Sequence, residues 1–179
     1  MTDKVKITRN EDITPHPSCD MSYTLRELLI AAELKRGDNI ILGGTSWKVL
    51  DAKENRFLLW KQSNVTDHVF NANGSNQYEG SDIENYLKNE FRETVPQDMQ
   101  MMVDGDFFLL TVDQINEYMP EPADRLAFDE EGFTTWWWTA SPGAGSGSTV
   151  RRVYPGGIVN SGYRASSSGG VAPACYINL

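Results

Sequence analysis

The stretch Asn39-Ile40-Ile41-Leu42-Gly43-Gly44-Thr45-Ser46-Trp47-Lys48-Val49-Leu50-Asp51-Ala52-Lys53-Glu54-Asn55-Arg56-Phe57-Leu58-Leu59-Trp60 holds three short apolar runs, Asn39–Leu42, Trp47–Leu50 and Phe57–Trp60. Gly43-Gly44 and Lys53-Glu54-Asn55 separate them as turn signals. Apolar runs this short, bounded by turn residues and rich in aromatic and branched side chains, fit strands. Joined by such short connections, they predict an antiparallel meander.

Helical patterns flank the meander. On its N-terminal side Thr24 and Glu27 form a capping box, and Leu25, Leu28, Leu29 and Ala32 share one face before Gly37, which predicts a helix over 24–36. On its C-terminal side residues 61–80 are polar and rich in Asn and Gly, a long surface loop. Ser81 and Glu84 then cap a second helix with the stripe Ile83, Tyr86, Leu87 and Phe91. A short strand follows at Phe107–Leu110, and Thr111 with Gln114 opens a third helix that ends before Pro120. Strands and helices in this order place the chain in the α+β class. Residues 1–20 carry charge, two prolines and little periodicity, as in a mobile leader or a strand tied to a neighbour. Residues 1–36 are thus set apart as leader and helix, and 37–179 as the main domain.

Beyond residue 120 the regular patterns give way to Pro, Gly, Ser and aromatics. Trp136-Trp137-Trp138 reads as a strand whose alternation buries one or two rings and turns the remainder toward a loop or ligand. After the Gly/Ser loop 141–148 come a short strand near Val150–Tyr154, the turn Pro155-Gly156-Gly157 and the stretch 160–170. Val171–Ile177 reads as a closing strand, with Pro173 placing its start at an edge or bulge.

The chain has 179 residues, 40% of them apolar and 11% aromatic, enough for one domain with a real core. A formal charge of −9 argues against nucleic acid and anionic membrane as partners, because such binding needs a basic surface. The acidic residues are spread along the chain without a run of five or six like charges, as solubility alone requires. The N-terminus lacks the apolar core of a signal peptide and no stretch approaches a membrane span, so a soluble cytosolic chain without membrane insertion is expected. Cys19 and Cys175 are read as free thiols.

A search for catalytic chemistry finds little. His16 and His68 stand apart without metal-ligand spacing. Gly143-x-Gly145-x-Gly147 has neither the Lys-Ser/Thr nor the following helix of a phosphate loop. Asp129-Glu130-Glu131 reads as a solvated turn before Gly132, with a bound cation as the alternative. No cofactor is expected. The distinctive segment is 143–170, where small residues are interrupted by Arg151, Arg152, Tyr154, Asn160, Tyr163 and Arg164. Gly and Ser make adaptable loops while Tyr and Arg supply large contacts, the chemistry of a paratope; a plain surface loop has the same composition.

Three groups of residues carry a resemblance. They are Gly37-Asp38 leading into Trp47-Lys48-Val49-Leu50-Asp51, then Gly80-Ser81-Asp82-Ile83 with Tyr86-Leu87-Lys88-Asn89-Glu90-Phe91, and finally Trp136-Trp137-Trp138-Thr139-Ala140-Ser141-Pro142-Gly143 with Gly170-Val171-Ala172-Pro173-Ala174. Over residues 37–179 the chain resembles a bacterial domain family of unassigned function with a C-type-lectin-like fold of the formylglycine-generating-enzyme type. That family has arginine where this chain has Ala140 and Ala172, and Cys19 and Cys175 do not reproduce the catalytic cysteine pair of the formylglycine enzymes. Glu121-Pro122-Ala123-Asp124 only echoes the calcium motif of animal lectins. Residues 144–168 are similar to the diversified region of variable proteins from diversity-generating retroelements, with Val153, Gly157 and Val159 as fixed positions.

The resemblance implies a non-enzymatic binding module in which Trp138, Arg152, Tyr154, Asn160, Tyr163, Arg164 and Ser166 contact a protein or glycan ligand, with Trp136 and Trp137 supporting them from below. It also implies display on a phage particle or cell surface through a partner. Two alternatives remain open. One is an oxidase related to formylglycine formation with Cys175 as a reactive thiol. The other is a structural piece of a phage or surface assembly, in which residues 1–36 mediate attachment or homo-oligomerisation.

Overall fold

The computed structural model describes residues 6–8, 24–42 and 44–179, apart from the side chains of 6–8 and of Ser161. His16 and Cys19 lie outside the described residues. The larger sheet has the spatial order β1 (Lys6–Thr8), β2 (Asn39–Leu42), β3 (Thr45–Lys53), β4 (Arg56–Lys61), β13 (Ala174–Asn178) and β6 (Val103–Phe108). The expected meander is its centre, with Ile40 opposite Trp47 and Val49 opposite Leu59. Every pairing in this sheet is antiparallel. The second sheet runs β11 (Val159–Arg164), β10 (Thr149–Val153), β9 (Trp137–Pro142), β12 (Ser168–Gly170) and β5 (Asp67–Val69). Its one parallel contact joins Gly170 to Trp137. A two-stranded ribbon, β7 (Ala127–Phe128) with β8 (Thr134–Thr135), completes an α+β architecture of mostly antiparallel sheets.

The run Phe57-Leu58-Leu59-Trp60 has no polar residue because both faces of β4 are covered. Phe57 and Leu59 enter one core with Trp47, Val49, Phe107 and Cys175, while Leu58 and Trp60 enter a second core with Leu110, Ile115 and Trp137. A strand buried on both faces loses the polar alternation that marks a half-exposed one.

Two cores also account for the tryptophan triplet. Trp137 and Trp138 are both fully buried, on opposite faces of β9, against Trp60 and Phe70 respectively. Trp136 returns to the face of Trp138 and meets it edge-on at 5.0 Å between ring centroids.

The helices form where the caps predict. Thr24 and Glu27 make a complete capping box on α1 (Leu25–Ala31), as do Thr111 and Gln114 on a later helix, Val112–Tyr118. The first helix stops well short of Gly37, because Glu33 adopts a left-handed conformation (φ 49°) that reverses the chain and sends Leu34 into the core. Ser81 caps α2 (Asp82–Tyr86) by accepting from the Glu84 amide, but the Glu84 carboxylate takes the Gly80 amide instead, so the reciprocal half of the box is shifted by one residue. That helix continues through a π-helical turn, Leu87–Phe91, into α3 (Arg92–Thr94). Then come α4 (Gln97–Gln100), α5 (Val112–Tyr118) and a 3-10 turn, Pro122–Arg125. No helix among the described residues is long and apolar enough to cross a membrane.

The structure corrects one expectation and refines two. Residues 61–80 are not all loop, since β5 pairs with β12 there. The stretch 160–170, whose conformation the sequence leaves open, holds most of β11, which forms a hairpin on β10, then a turn at 165–167 and β12. Pro173 does not mark an edge, since β13 lies between β4 and β6, but a register irregularity between Ala174 and Tyr176 does stand at the start of the strand. The proline stands just before the strand, where its missing N–H costs no ladder bond and its carbonyl accepts from Lys61.

Candidate functional site

The hairpin β10–β11 carries most of the residues singled out by the sequence, and its register explains which of them meet. Arg152 lies opposite Asn160 on β11 and opposite Trp138 on β9. A register irregularity between Val150 and Arg152 interrupts the ladder on both sides of β10. Bulges of this kind re-aim a side chain, and here it is that of Arg152.

The Arg152 guanidinium packs against three rings, 4.0 Å from the Tyr163 centroid and 4.7 Å from those of Trp136 and Tyr154. It also donates to the Tyr154 hydroxyl at 3.1 Å. Its Nε is buried and has no hydrogen-bond partner among the described residues. Ring faces therefore replace water around much of this cation. Contacts of this type contribute about 0.5–2 kcal/mol each according to how desolvated they are. Tyr154 and Tyr163 remain 37% and 38% exposed, so the cluster forms part of the surface.

Trp136 is fixed from behind. Its ring lies over Gly169, where an added Cβ would come within 1.9 Å of the indole. Its carbonyl accepts from Asn64 Nδ2 at 3.3 Å. A side chain at position 169 would occupy the space that holds the indole under Arg152. Gly157 does similar work at the hairpin tip: with φ +78° and the Pro122 backbone in the space of a Cβ, it lets the turn close onto the 3-10 segment.

The assignment of Trp138 as a ligand contact is corrected. Its side chain is fully buried, its indole N–H donates to the His68 carbonyl, and Phe70 meets its edge. Trp136, expected to support the site from below, is the tryptophan at the partly exposed cluster. Alternation along β9 could have located it, because 136 and 138 share a face and 138 lies deeper in the strand.

Arg152, Tyr154 and Tyr163, three of the residues singled out by the sequence, come together in one cluster. Asn160 is half-buried and uses its side-chain oxygen to accept from the Gly162 amide. Arg164 and Ser166 are exposed at and beyond the end of β11, flanking buried Ala165, and belong to the same surface without entering the ring cluster.

Charge sets this region apart. The spread of acidic residues ends at Glu131: residues 132–179 contain Arg151, Arg152 and Arg164 and no Asp, Glu or Lys. An acidic chain thus ends in a cationic, aromatic segment, a pattern hidden by the overall charge.

The remaining chemistry is quiet. Cys175 is fully buried in β13, and desolvation pushes its thiol well above the ordinary range, so it is neither accessible nor ionised as a reactive thiol must be. Asp129 accepts from the Glu131 and Phe133 amides, which is the turn reading of that acidic triplet. Among the described residues no group of three or more His, Cys, Asp or Glu could hold a metal ion. The Gly143–Gly147 loop leads into β10 rather than a helix, and Asn76 pins it through the carbonyls of Ser146 and Gly147. Set against models of known protein families, curated proteins and solved structures, the chain gives no match in any of the three comparisons.

Proposed function

We propose that this chain is a non-enzymatic binding module that engages a protein or glycan ligand through the surface built on β10 and β11. The observation that carries the reading is the Arg152 cluster: a half-desolvated guanidinium stacked between Trp136, Tyr154 and Tyr163, beside exposed Arg164 and Ser166. Rigid aromatic and arginine side chains at a partly desolvated site are the usual anchors of recognition surfaces. With no carboxylate side chain after Glu131, the surface favours acceptor-rich ligands such as acidic protein patches or hydroxyl- and carboxylate-bearing sugars.

The finer reading is a C-type-lectin-like scaffold serving a diversified surface, as in the variable proteins of diversity-generating retroelements. It is supported by the interleaving of exposed Tyr154, Ile158, Tyr163, Arg164 and Ser166 with buried Val153, Gly157 and Ala165. Outward residues can then change while inward ones hold the hairpin.

The test is direct. Labelled full-length chain is applied to glycan and protein microarrays beside a double variant, Tyr163→Ala with Arg164→Ala. The reading expects every specific signal to weaken by about tenfold or more. Undiminished signals in the double variant would remove this surface from the account.

A further inference from the structure

Charge divides this chain in two. Of its 16 basic and 25 acidic residues, three arginines and no acid lie after Glu131, so the first 131 residues sum to −12 and the last 48 to +3. Arg152 stands in the cationic part without a counter-charge. Arg56 and Arg92 meet Asp104 and Asp106, and Arg36 and Arg125 donate to backbone carbonyls. Among the described residues Arg152 has only three rings and the Tyr154 hydroxyl. Stacking strips water from the face of a guanidinium but leaves its N–H edge in need of acceptors.

That edge is where a ligand can reach it. Nε is enclosed, so contact falls to the far end of the guanidinium. Nη2 donates to the Tyr154 hydroxyl at 3.1 Å, while Nη1 makes no hydrogen bond among the described residues and is not enclosed. A phenol that accepts still has its own proton to donate. Nη1 and the hydroxyls of half-exposed Tyr154 and Tyr163 are thus donors on strands that carry no carboxylate. A carboxylate, with two acceptor oxygens in one plane, matches a guanidinium edge.

The surroundings narrow its source. A polyanion would meet the −12 of the remaining chain. A sugar acid stacks its ring on an open aromatic face, but Arg152 covers one face of each ring, and Trp136 is further closed by Gly169, Trp138 and Tyr163. Ile158, 63% exposed, sits at the same hairpin turn, its carbonyl accepting from the Tyr154 amide. We propose that the Arg152 cluster grips the carboxylate of a single Asp or Glu side chain on a protein ligand, with an apolar neighbour of that residue against Ile158. This rests on the reading of β10–β11 as a recognition surface and narrows its ligand to protein.

NMR titration of the isotope-labelled full chain tests it with three probes: the blocked tripeptides acetyl-Ile-Glu-Ile-amide and acetyl-Ile-Gln-Ile-amide, and glucuronate. The Arg152 Nε–H, shielded by its burial, reports occupancy. The glutamate peptide is expected to shift it, and the ring signals of Tyr154 and Tyr163, in a saturable way. The glutamine peptide should bind at least about tenfold more weakly, the loss of one charge-assisted contact. Glucuronate should also bind more weakly than the glutamate peptide, because it brings no aliphatic group to Ile158. Arg152→Met is expected to abolish binding of the glutamate peptide, and Arg152→Lys to weaken it, since an ammonium lacks the planar fork. Equal binding of the two peptides at these signals would overturn the carboxylate assignment while leaving the recognition surface standing. Glucuronate binding as tightly as the glutamate peptide would overturn the protein source. No shift at Arg152 from any probe would overturn the whole assignment, and the microarray comparison would still decide separately whether the surface binds. Should Arg152→Met fail to fold, the two peptides on the unaltered chain decide alone.

Discussion

The strand β13 and the hairpin β10–β11 are built from similarly short strands, yet they are constrained in opposite ways. β13 sits between β4 and β6 with neighbours on both edges, and it sends Cys175 and Ile177 into one core and Ala174 into the other. The hairpin ends at the free edge of its sheet and commits Val150 and Val153 to the cores while Arg152, Tyr154 and Tyr163 gather outside them. Ala174, Cys175 and Ile177 of β13 are fully enclosed by packing, so these residues are dictated by volume. The outer side of the hairpin is covered only by its own side chains, Arg152 against Tyr154, Tyr163 and Trp136.

This contrast should separate stability from binding when each region is mutated. The largest effect is expected at Trp137→Ala, which empties a fully buried site next to Trp60. Loss of about 3–5 kcal/mol in urea unfolding is the expected cost of deleting a large aromatic from a core. A loss under about 1 kcal/mol would mean that the second core is not a packed core at all.

An intermediate effect is expected at Gly169→Ala, in β12 on the other side of β9 from the hairpin. The new methyl would have to displace the Trp136 ring. Overpacking of this kind costs about 1–3 kcal/mol. It should also remove one wall of the Arg152 cluster, visible as a change in tryptophan fluorescence and as weaker array signals. Unaltered fluorescence and binding would show that Trp136 is not seated by Gly169.

How much of this was legible in the sequence follows from the same contrast. The meander could be read because Ile40, Val49 and Leu59 are apolar for packing reasons that act locally and periodically. The capping boxes could be read because Thr24–Glu27 and Thr111–Gln114 are hydrogen bonds within four residues. β5, β11 and β12 were missed because their pairing is non-local and their residues, Asp67, Asn160 and Gly169 among them, have low strand propensity. Tertiary pairing overrode local preference there.

Residue type singled out Arg152, Tyr154 and Tyr163, which the fold gathers into one cluster. Depth was misjudged, since Trp136 and Trp138 share a face and only the second sheet decides which is covered. The abrupt end of acidic residues at Glu131 was available and is the clue that would have sharpened the surface reading.

The smallest expected effect on stability is also the sharpest test. A library randomised at the exposed positions Ile158, Arg164 and Ser166, which lie outside the Arg152 ring cluster, displayed on yeast, can be challenged with protease and then sorted for binding to a panel of folded proteins and glycans. If the hairpin is a recognition face held by a separate core, most members will resist protease as the parent does, within about 0.5 kcal/mol, and sorting will yield binders of different specificity. If most members are cleaved because those side chains are needed to keep the chain folded, the recognition face does not exist.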